Sequence, residues 1–154
     1  MTESLSADDR WEIHDLYAAY NWMIDNNDPE GWASLFTEDG YHGNETGKGP
    51  RGRQELIAHA TWAGEVIPAK ALQHWNTNIY VRSDGEGGAI GRCYMLAAFA
   101  LQRPEMDVDG VMIERMGRYR DRLVKVGGAW RFKEKLYENY YVGHAGFLTF
   151  APWA

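Results

Sequence analysis

The residue types best suited to chemistry lie in LQHWNTNIYV, from Leu72 to Val81. β-Branched and aromatic residues dominate this stretch, which predicts a strand whose side chains alternate between two faces. One predicted face holds Leu72, His74, Asn76, Asn78 and Tyr80. The His74 imidazole is its one group whose charge can switch near neutral pH. The uncharged amides beside it suit either an enclosed wet cavity or an ordinary polar outer face.

Tyr20 and Asp25 come from a helix predicted over residues 7 to 26, where apolar residues recur at steps of three and four. At helical spacing Asp25 shares its side of the helix with Tyr17, Tyr20 and Ile24, so all four can face the same interior. Tyr20 is either an acid close to Asp25 or a core aromatic. Asp25 is either a functional carboxylate or a cap for the following turn.

Other side chains are candidates for the wall of that interior. His42 stands in a short extended segment after the second predicted helix. Tyr119 alternates with arginines along its strand, so its side chain is predicted to point inward. Cys93 and Met95 share one face of another strand, and they suit a pocket wall better than a nucleophile or a metal ligand.

The order of the predicted elements indicates the fold class. Three helices come first, Glu38-Asp39-Gly40 is expected to be a turn, and long strands follow. The strands are predicted at Leu72–Val81, Ala89–Leu101, Val111–Val126 and Ala129–Val142. This order predicts one α+β domain over residues 1–154, with helices packed on one face of a curved antiparallel sheet. The apolar tail Gly143–Ala154 is expected to cover the cavity or a neighbouring subunit.

The composition argues against several classes of function. A net charge of -6 disfavours nucleic acid as a partner, because phosphate binding needs a basic patch. No apolar run approaches the roughly 20 residues that span a membrane, and the polar N-terminus is unlike a signal peptide. With Cys93 as its single cysteine, the chain is expected to be cytoplasmic. The histidine spacings and the glycine-rich loop predict neither a metal nor a cofactor.

A resemblance to a known family rests on four runs that occur in order. They are IHDLYAAYNWMIDNNDPEGWASLFTEDG, a Gly-Arg loop with its helix, LQHWNTNIYV and GRYRDRLVKVGGAWRF. Together they resemble the SnoaL-like branch of the nuclear transport factor 2 (NTF2-like) superfamily. The resemblance implies a cone of curved sheet, closed by helices around a deep pocket. The most similar enzyme families of this branch are the scytalone dehydratases and the hexachlorocyclohexane dehydrochlorinases.

Both enzyme families pair an Asp at the end of the first helix with a His early in the first long strand, which implies an Asp25–His74 pair. The carboxylate would hold one imidazole tautomer, so that His74 acts as a general base. The dehydratases have a second catalytic histidine in the next strand. The corresponding region of this chain, Met95–Phe99, is apolar. Where the dehydrochlorinases have Lys, Trp and Arg, this chain has Tyr20, His42 and Lys135. The resemblance therefore implies a shared base and a different substrate.

The sequence thus predicts a cofactor-independent lyase for a small hydrophobic, aromatic substrate. Its catalytic residues would be His74, Asp25 and Tyr20. The substrate-binding candidates are His42, Asn78, Cys93, Met95, Tyr119 and Lys135, although Lys135 is most simply a solvated strand residue. One alternative is an isomerase or a polyketide-cyclase-type enzyme with the same base. The other is a non-catalytic ligand-binding or assembly subunit.

The second face of the first long strand predicts assembly. If His74 faces the cavity, Trp75, Thr77, Ile79 and Val81 face away from the helices. Such a row would be an exposed apolar patch in a monomer. We therefore expect a homo-oligomer, either a dimer or a trimer, built on the outer face of the sheet.

Overall fold

The computed structural model describes residues 4–66, 72–103 and 108–140. Its helices are α1 (Ala7–Asp25), α2 (Pro29–Ser34) and α3 (Arg53–Val66). Its strands are β1 (Phe36–Gly43), β2 (Leu72–Ser83), β3 (Ala89–Arg103), β4 (Val108–Val126) and β5 (Ala129–Tyr140). The predicted α+β class is confirmed, and no described helix is long and apolar enough to cross a membrane. The tail Gly143–Ala154 lies outside the described residues.

Helix α1 begins where side chains satisfy its first free amides. The Ser6 hydroxyl accepts the Asp9 N–H at 3.0 Å, and the Asp9 carboxylate accepts the Ser6 N–H at 3.2 Å. This capping box sets the start of the helix. Its buried residues follow at steps of three and four and are Ile13, Leu16, Tyr17 and Tyr20. The first helix therefore turns two tyrosines toward the sheet.

The five strands form one sheet in the order β1-β5-β4-β3-β2. The run from β2 to β5 is antiparallel as predicted, and β1 adds a strand parallel to β5. The predicted turn at Glu38-Asp39-Gly40 is wrong, because these residues continue β1. They lie at a register shift between Phe36 and Tyr41, so turn-forming residues are accommodated as an irregularity within the strand.

A bulge interrupts β2 after its first half. Thr77 pairs with Tyr94 and Tyr80 pairs with Arg92, so β2 advances three residues while β3 advances two. Asn78 is at this point and has φ of 54°, in the left-handed region that asparagine tolerates better than most residues. One extra residue in a strand exchanges the faces of every side chain after it.

The bulge corrects the predicted faces of β2. Asn78 is exposed, so the prediction that it shares the inner face of His74 is wrong. Val81 is buried and Ile79 packs against the core, so the prediction that these two face outward is also wrong. The physical reason is that strict alternation assumes a regular strand, and sequence alternation carries no signal for the inserted residue.

The outer face of the sheet retains an exposed apolar patch despite this correction. Trp75 is 45% exposed and Met116 is 44% exposed, and both flank Leu96 in register. Tyr94 lies two residues from Leu96 on the same face of β3 and is also exposed. Large apolar side chains clustered in this way are typical of a surface that a protein partner covers.

We expect the wild-type protein to be a homo-oligomer, either a dimer or a trimer, and the double substitution Trp75→Lys with Met116→Lys to yield a monomer. Two buried ammonium groups would oppose association through this patch. Size-exclusion chromatography with light scattering measures the mass directly. Trp22→Lys on the exposed side of α1 is the matched control. A monomeric wild type at micromolar concentration would contradict the expectation.

Candidate functional site

Asp25 and His74 meet where the end of α1 lies against the edge strand β2. The Asp25 Oδ1 atom is 2.6 Å from His74 Nδ1, and Asp25 Oδ2 accepts the His74 backbone N–H at 2.9 Å. The side chains are 15% and 19% exposed. Both carboxylate oxygens are thus used on one residue, which holds the ring in one orientation. Nδ1 carries the proton in this arrangement, and Nε2 is left as the basic nitrogen.

The second nitrogen of His74 is available for chemistry. In the described part of the chain nothing hydrogen-bonds to Nε2. The end of α1 is closed by Asn26, whose backbone N–H bonds the Trp22 carbonyl at 3.1 Å. The Asp25 carboxylate therefore bonds to His74 and does not cap its own helix.

The pair opens onto a groove of about 560 Å³ between α1 and β2. Its walls include Asn21 and Asn76, and the Asn76 amide donates to Asn21 Oδ1 at 3.2 Å. Asn76 Oδ1 is buried and has no partner among the described residues. Of the two asparagines that the sequence placed on the face of His74, Asn76 lines this groove and Asn78 does not. Asn21 was missed, although its position one helical turn before Asp25 is the available signal.

Tyr20, His42 and Tyr119 converge inside, between α1 and the sheet. The Tyr20 ring centroid lies 6.0 Å from that of Tyr119 and 6.1 Å from that of His42. The planes of the two tyrosine rings are inclined at 74°, an edge-to-face contact. A positive charge on His74 would also lower the His42 pKa, as the smallest of the causes of that shift. The structure thus brings these three sequence candidates into one buried cluster near the Asp25–His74 pair.

Burial sets the charge of this cluster. Desolvation, followed by repulsion from His59 and Lys135, lowers the His42 pKa to about 3, so the ring is neutral at neutral pH. Desolvation also raises the pKa values of Tyr20 and Tyr119 well above their usual range, so both hydroxyls stay protonated at neutral pH. These groups therefore form hydrogen bonds as neutral species and do not readily release protons.

Lys135 is fully buried beneath the tyrosines, in contrast to the solvated position that the sequence most simply suggested. Its Nζ donates to Asp121 Oδ2 at 3.1 Å, and the Tyr17 hydroxyl donates to the same oxygen. Nζ lies 3.8 Å from the Tyr119 ring centroid and 4.6 Å from that of Tyr20. The cation is thus neutralised by Asp121 and enclosed by aromatic faces.

Asp121 is the charged core residue that sequence reasoning missed. It alternates inward with Tyr119 between outward arginines, which is the signal that could have found it. Burial raises the Asp121 pKa, whereas Lys135 and the Tyr17 hydroxyl oppose that rise. Gly91 on β3 is paired in register with Asp121, and a Cβ atom at Gly91 would collide with the Tyr17 hydroxyl. The glycine therefore allows Tyr17 to reach the carboxylate.

Cys93 and Met95 are buried on the inner face of β3, and Cys93 pairs in register with Tyr119. Burial raises the Cys93 pKa to about 12. The thiol therefore stays protonated and is a poor nucleophile. In residues 4–66, 72–103 and 108–140, no three His, Cys, Asp or Glu side chains are grouped to hold a metal ion.

Residues 6–135 match the sequence profile of the SnoaL-like domain. The chain belongs to the SnoaL-like family. A solved protein of unknown function from Mycobacterium tuberculosis is 30% identical, with a TM-score of 0.74 over 90% of this chain and 78% of that one. No curated protein matches the sequence.

Two solved structures from Novosphingobium aromaticivorans are also similar. A candidate scytalone dehydratase is 27% identical, with a TM-score of 0.68 over 93% of this chain and 95% of that one. An NTF2-like protein with a cystatin-like fold is 20% identical, with a TM-score of 0.75 over 90% of this chain and 85% of that one. The second similarity concerns the fold alone. The predicted NTF2-like, cystatin-like fold of the SnoaL-like branch is confirmed.

The buried ion pair predicts a large cost for removing one partner. Lys135→Met should lower the free energy of unfolding by about 3–5 kcal/mol, because it leaves Asp121 buried without its cation. Removing both charges in Lys135→Met with Asp121→Leu should cost less than the single change. Lys133→Met breaks a solvent-screened surface pair with Asp39 and should cost far less than Lys135→Met. Urea denaturation measures all three, and equal losses for Lys135→Met and Lys133→Met would contradict the assignment.

The neutral state of His42 predicts acid sensitivity. Its pKa is about 3 in the folded chain and 6.5 in the reference state, so the unfolded chain binds the extra proton between these values. The contribution of His42 to the free energy of unfolding is fully present above pH 6.5. It is lost as the pH falls toward 3, by on the order of 1.4 kcal/mol per pH unit. His42→Phe should remove that part of the pH dependence. Urea denaturation at pH 7 and pH 5 measures this difference. The control is His14→Phe, because His14 is only half-buried. Equal losses of stability between the two pH values in wild type and His42→Phe would contradict the prediction.

Proposed function

We propose that this protein is a cofactor-independent lyase for a small hydrophobic, aromatic substrate. The observation that carries the proposal is the 2.6 Å contact between Asp25 and His74 Nδ1, with Nε2 left basic. A carboxylate in this position holds the imidazole tautomer and stabilises the imidazolium that forms when Nε2 accepts a proton. The similarity to a candidate scytalone dehydratase supports the same class of reaction.

In the proposed reaction His74 Nε2 removes a proton from a substrate carbon. The electron pair of that C–H bond forms a new double bond, while the group on the adjacent carbon departs with its own bonding pair. The departing group is hydroxide or halide. In an aldehyde-releasing reaction Nε2 instead removes the proton of a substrate hydroxyl, whose O–H bonding pair forms the aldehyde C=O while the C–C bond breaks and leaves its pair on the remaining carbon. Asp25 compensates the positive charge on His74 during this step.

Tyr20 is proposed to assist departure as a hydrogen-bond donor. Burial keeps both Tyr20 and Tyr119 protonated, so the Tyr20 O–H can donate to a substrate oxygen. Their raised pKa values make either hydroxyl a weak acid. The proton that protonates a departing hydroxide would then be the one held by His74. Cys93 and Met95 are proposed to form the wall of the pocket, and Lys135 to act on substrate through Tyr119.

The same geometry also suits an isomerase or a cyclase. The specific observation in favour is that the inner cluster holds neutral donors and no readily released proton. Neutral donors stabilise an enolate oxygen, which is the intermediate of a proton transfer next to a carbonyl. A non-catalytic binding or assembly subunit is the third possibility, and it has no requirement for a carboxylate-oriented histidine.

The base is tested by single substitutions. His74→Ala should abolish turnover, and Asp25→Asn should lower kcat by roughly 100- to 10,000-fold because the ring loses its orienting carboxylate. Substrate loss is followed by chromatography with a panel of lignin-derived and chlorinated aromatic compounds. The same incubations in D₂O report proton exchange without net elimination, which identifies an isomerase or a cyclase.

His14→Ala is the matched control, because His14 lies on the same helix as Asp25 and packs against Trp11. Circular dichroism melts confirm that each variant is folded. Full activity of His74→Ala would exclude His74 as the base. Binding of panel compounds with neither turnover nor exchange in the wild type would favour the non-catalytic subunit.

A further inference from the structure

Two polar atoms lie buried and unpaired in neighbouring rings on the α2–β1 side of the interior. They are Trp32 Nε1 and His42 Nδ1, and neither has a hydrogen-bond partner among the described residues. Trp32 is 1% exposed and His42 is 7% exposed. Their ring centroids are 5.3 Å apart, with the planes at 85°. Buried polar atoms in folded proteins are nearly always bonded, so two adjacent exceptions indicate a missing partner.

The hydrogen-bonding roles of these atoms differ. The indole N–H of Trp32 can only donate. His42 is neutral, because burial lowers its pKa to about 3. In a neutral imidazole one nitrogen carries a proton and the other carries a lone pair. In the tautomer with the proton on Nε2, Nδ1 is an acceptor.

The surroundings of the two atoms are aromatic. The Trp32 ring centroid is 5.0 Å from that of Phe36 and 5.4 Å from that of Tyr20. The His42 ring centroid is 5.5 Å from that of Tyr137. A ligand group that reaches both atoms must therefore lie against aromatic faces. It must also offer one acceptor and one donor together, which a hydroxyl group does.

We propose that Trp32 and His42 form a subsite for a hydroxyl group carried by an aromatic ligand. The Trp32 N–H donates to the hydroxyl oxygen, and the hydroxyl proton is donated to His42 Nδ1. A methoxy group can fill the acceptor role alone, and a halogen or hydrogen fills neither role well. The proposal rests on the proposed function in naming this ligand as the substrate, and it narrows that substrate to phenols and hydroxylated rings.

The test is calorimetric titration with 2-naphthol, 2-methoxynaphthalene and naphthalene, which share one ring system. The parent protein is the His74→Ala variant, so that binding is measured without turnover. We expect 2-naphthol to bind about tenfold more tightly than naphthalene. The affinity of 2-methoxynaphthalene should exceed that of naphthalene by about threefold at most. Trp32→Phe and His42→Phe, each added to this parent, should reduce the preference for 2-naphthol to about threefold or less.

Trp62→Phe is the matched control, because Trp62 is exposed and contacts His59 on the far side of the cluster. It should leave the preference unchanged. Equal affinity for 2-naphthol and naphthalene in the parent would overturn the subsite, since water would then satisfy the two atoms in either complex. A preference that persists in both Trp32→Phe and His42→Phe would place the hydroxyl elsewhere and also overturn it.

The parent titrations decide the matter even if Trp32→Phe fails to fold, because His42→Phe tests the other half of the subsite. The outcome is independent of catalysis. A preference for 2-naphthol in the parent, together with an inactive wild type, would refute the lyase proposal and leave the subsite intact. Turnover without any preference would do the reverse.

Discussion

The buried pair of Lys135 and Asp121 is the constraint on which the rest of the interior depends. A charge cannot be left alone in such surroundings, so each partner requires the other. The Tyr17 hydroxyl adds a hydrogen bond from α1 to the same carboxylate, and the ammonium lies over Tyr119. These contacts hold α1, β4 and β5 in a single relative position. That position decides which face of the sheet lies against α1 and where α1 ends.

The Asp25–His74 contact is made possible by that position. Asp25 is the last residue of α1, two turns beyond Tyr17, and it meets the edge of the sheet. There it accepts a backbone N–H that no neighbouring strand covers, as well as the imidazole N–H. An edge strand usually leaves such groups to solvent. Here the free edge gives the carboxylate a second hydrogen bond, so that Asp25 holds both the ring and the main chain of His74.

The two ends of the interior have different electrostatic character. Around His74 the neighbours are amides and a groove, so the imidazole lies between protein and solvent. Around His42 the neighbours are aromatic, and burial lowers its pKa to about 3. The two histidines thus differ in environment, and the buried His42 is suited to hydrogen bonding as a neutral ring.

Much of the fold follows from local pattern. Caps, helical periodicity and β-branched runs predicted the helices and the long strands, since these signals act over a few residues. The Asp25–His74 pair came from family resemblance, and alternation correctly turned Tyr119 inward. Alternation failed at Asn78, because one inserted residue in β2 exchanges the two faces and leaves no periodic trace.

The sequence by itself determined the fold class and most of the elements, and it named His74 as the residue that we propose as the base. Tertiary structure alone decided that Lys135 is enclosed with Asp121, that Asn78 leaves the face it was predicted to share with His74 and Asn76, and which buried atoms lack a partner. The physical reason is that pairing and burial depend on residues far apart in the chain. Asp25 and His74 are 49 positions apart, and Tyr17 and Asp121 are 104 positions apart.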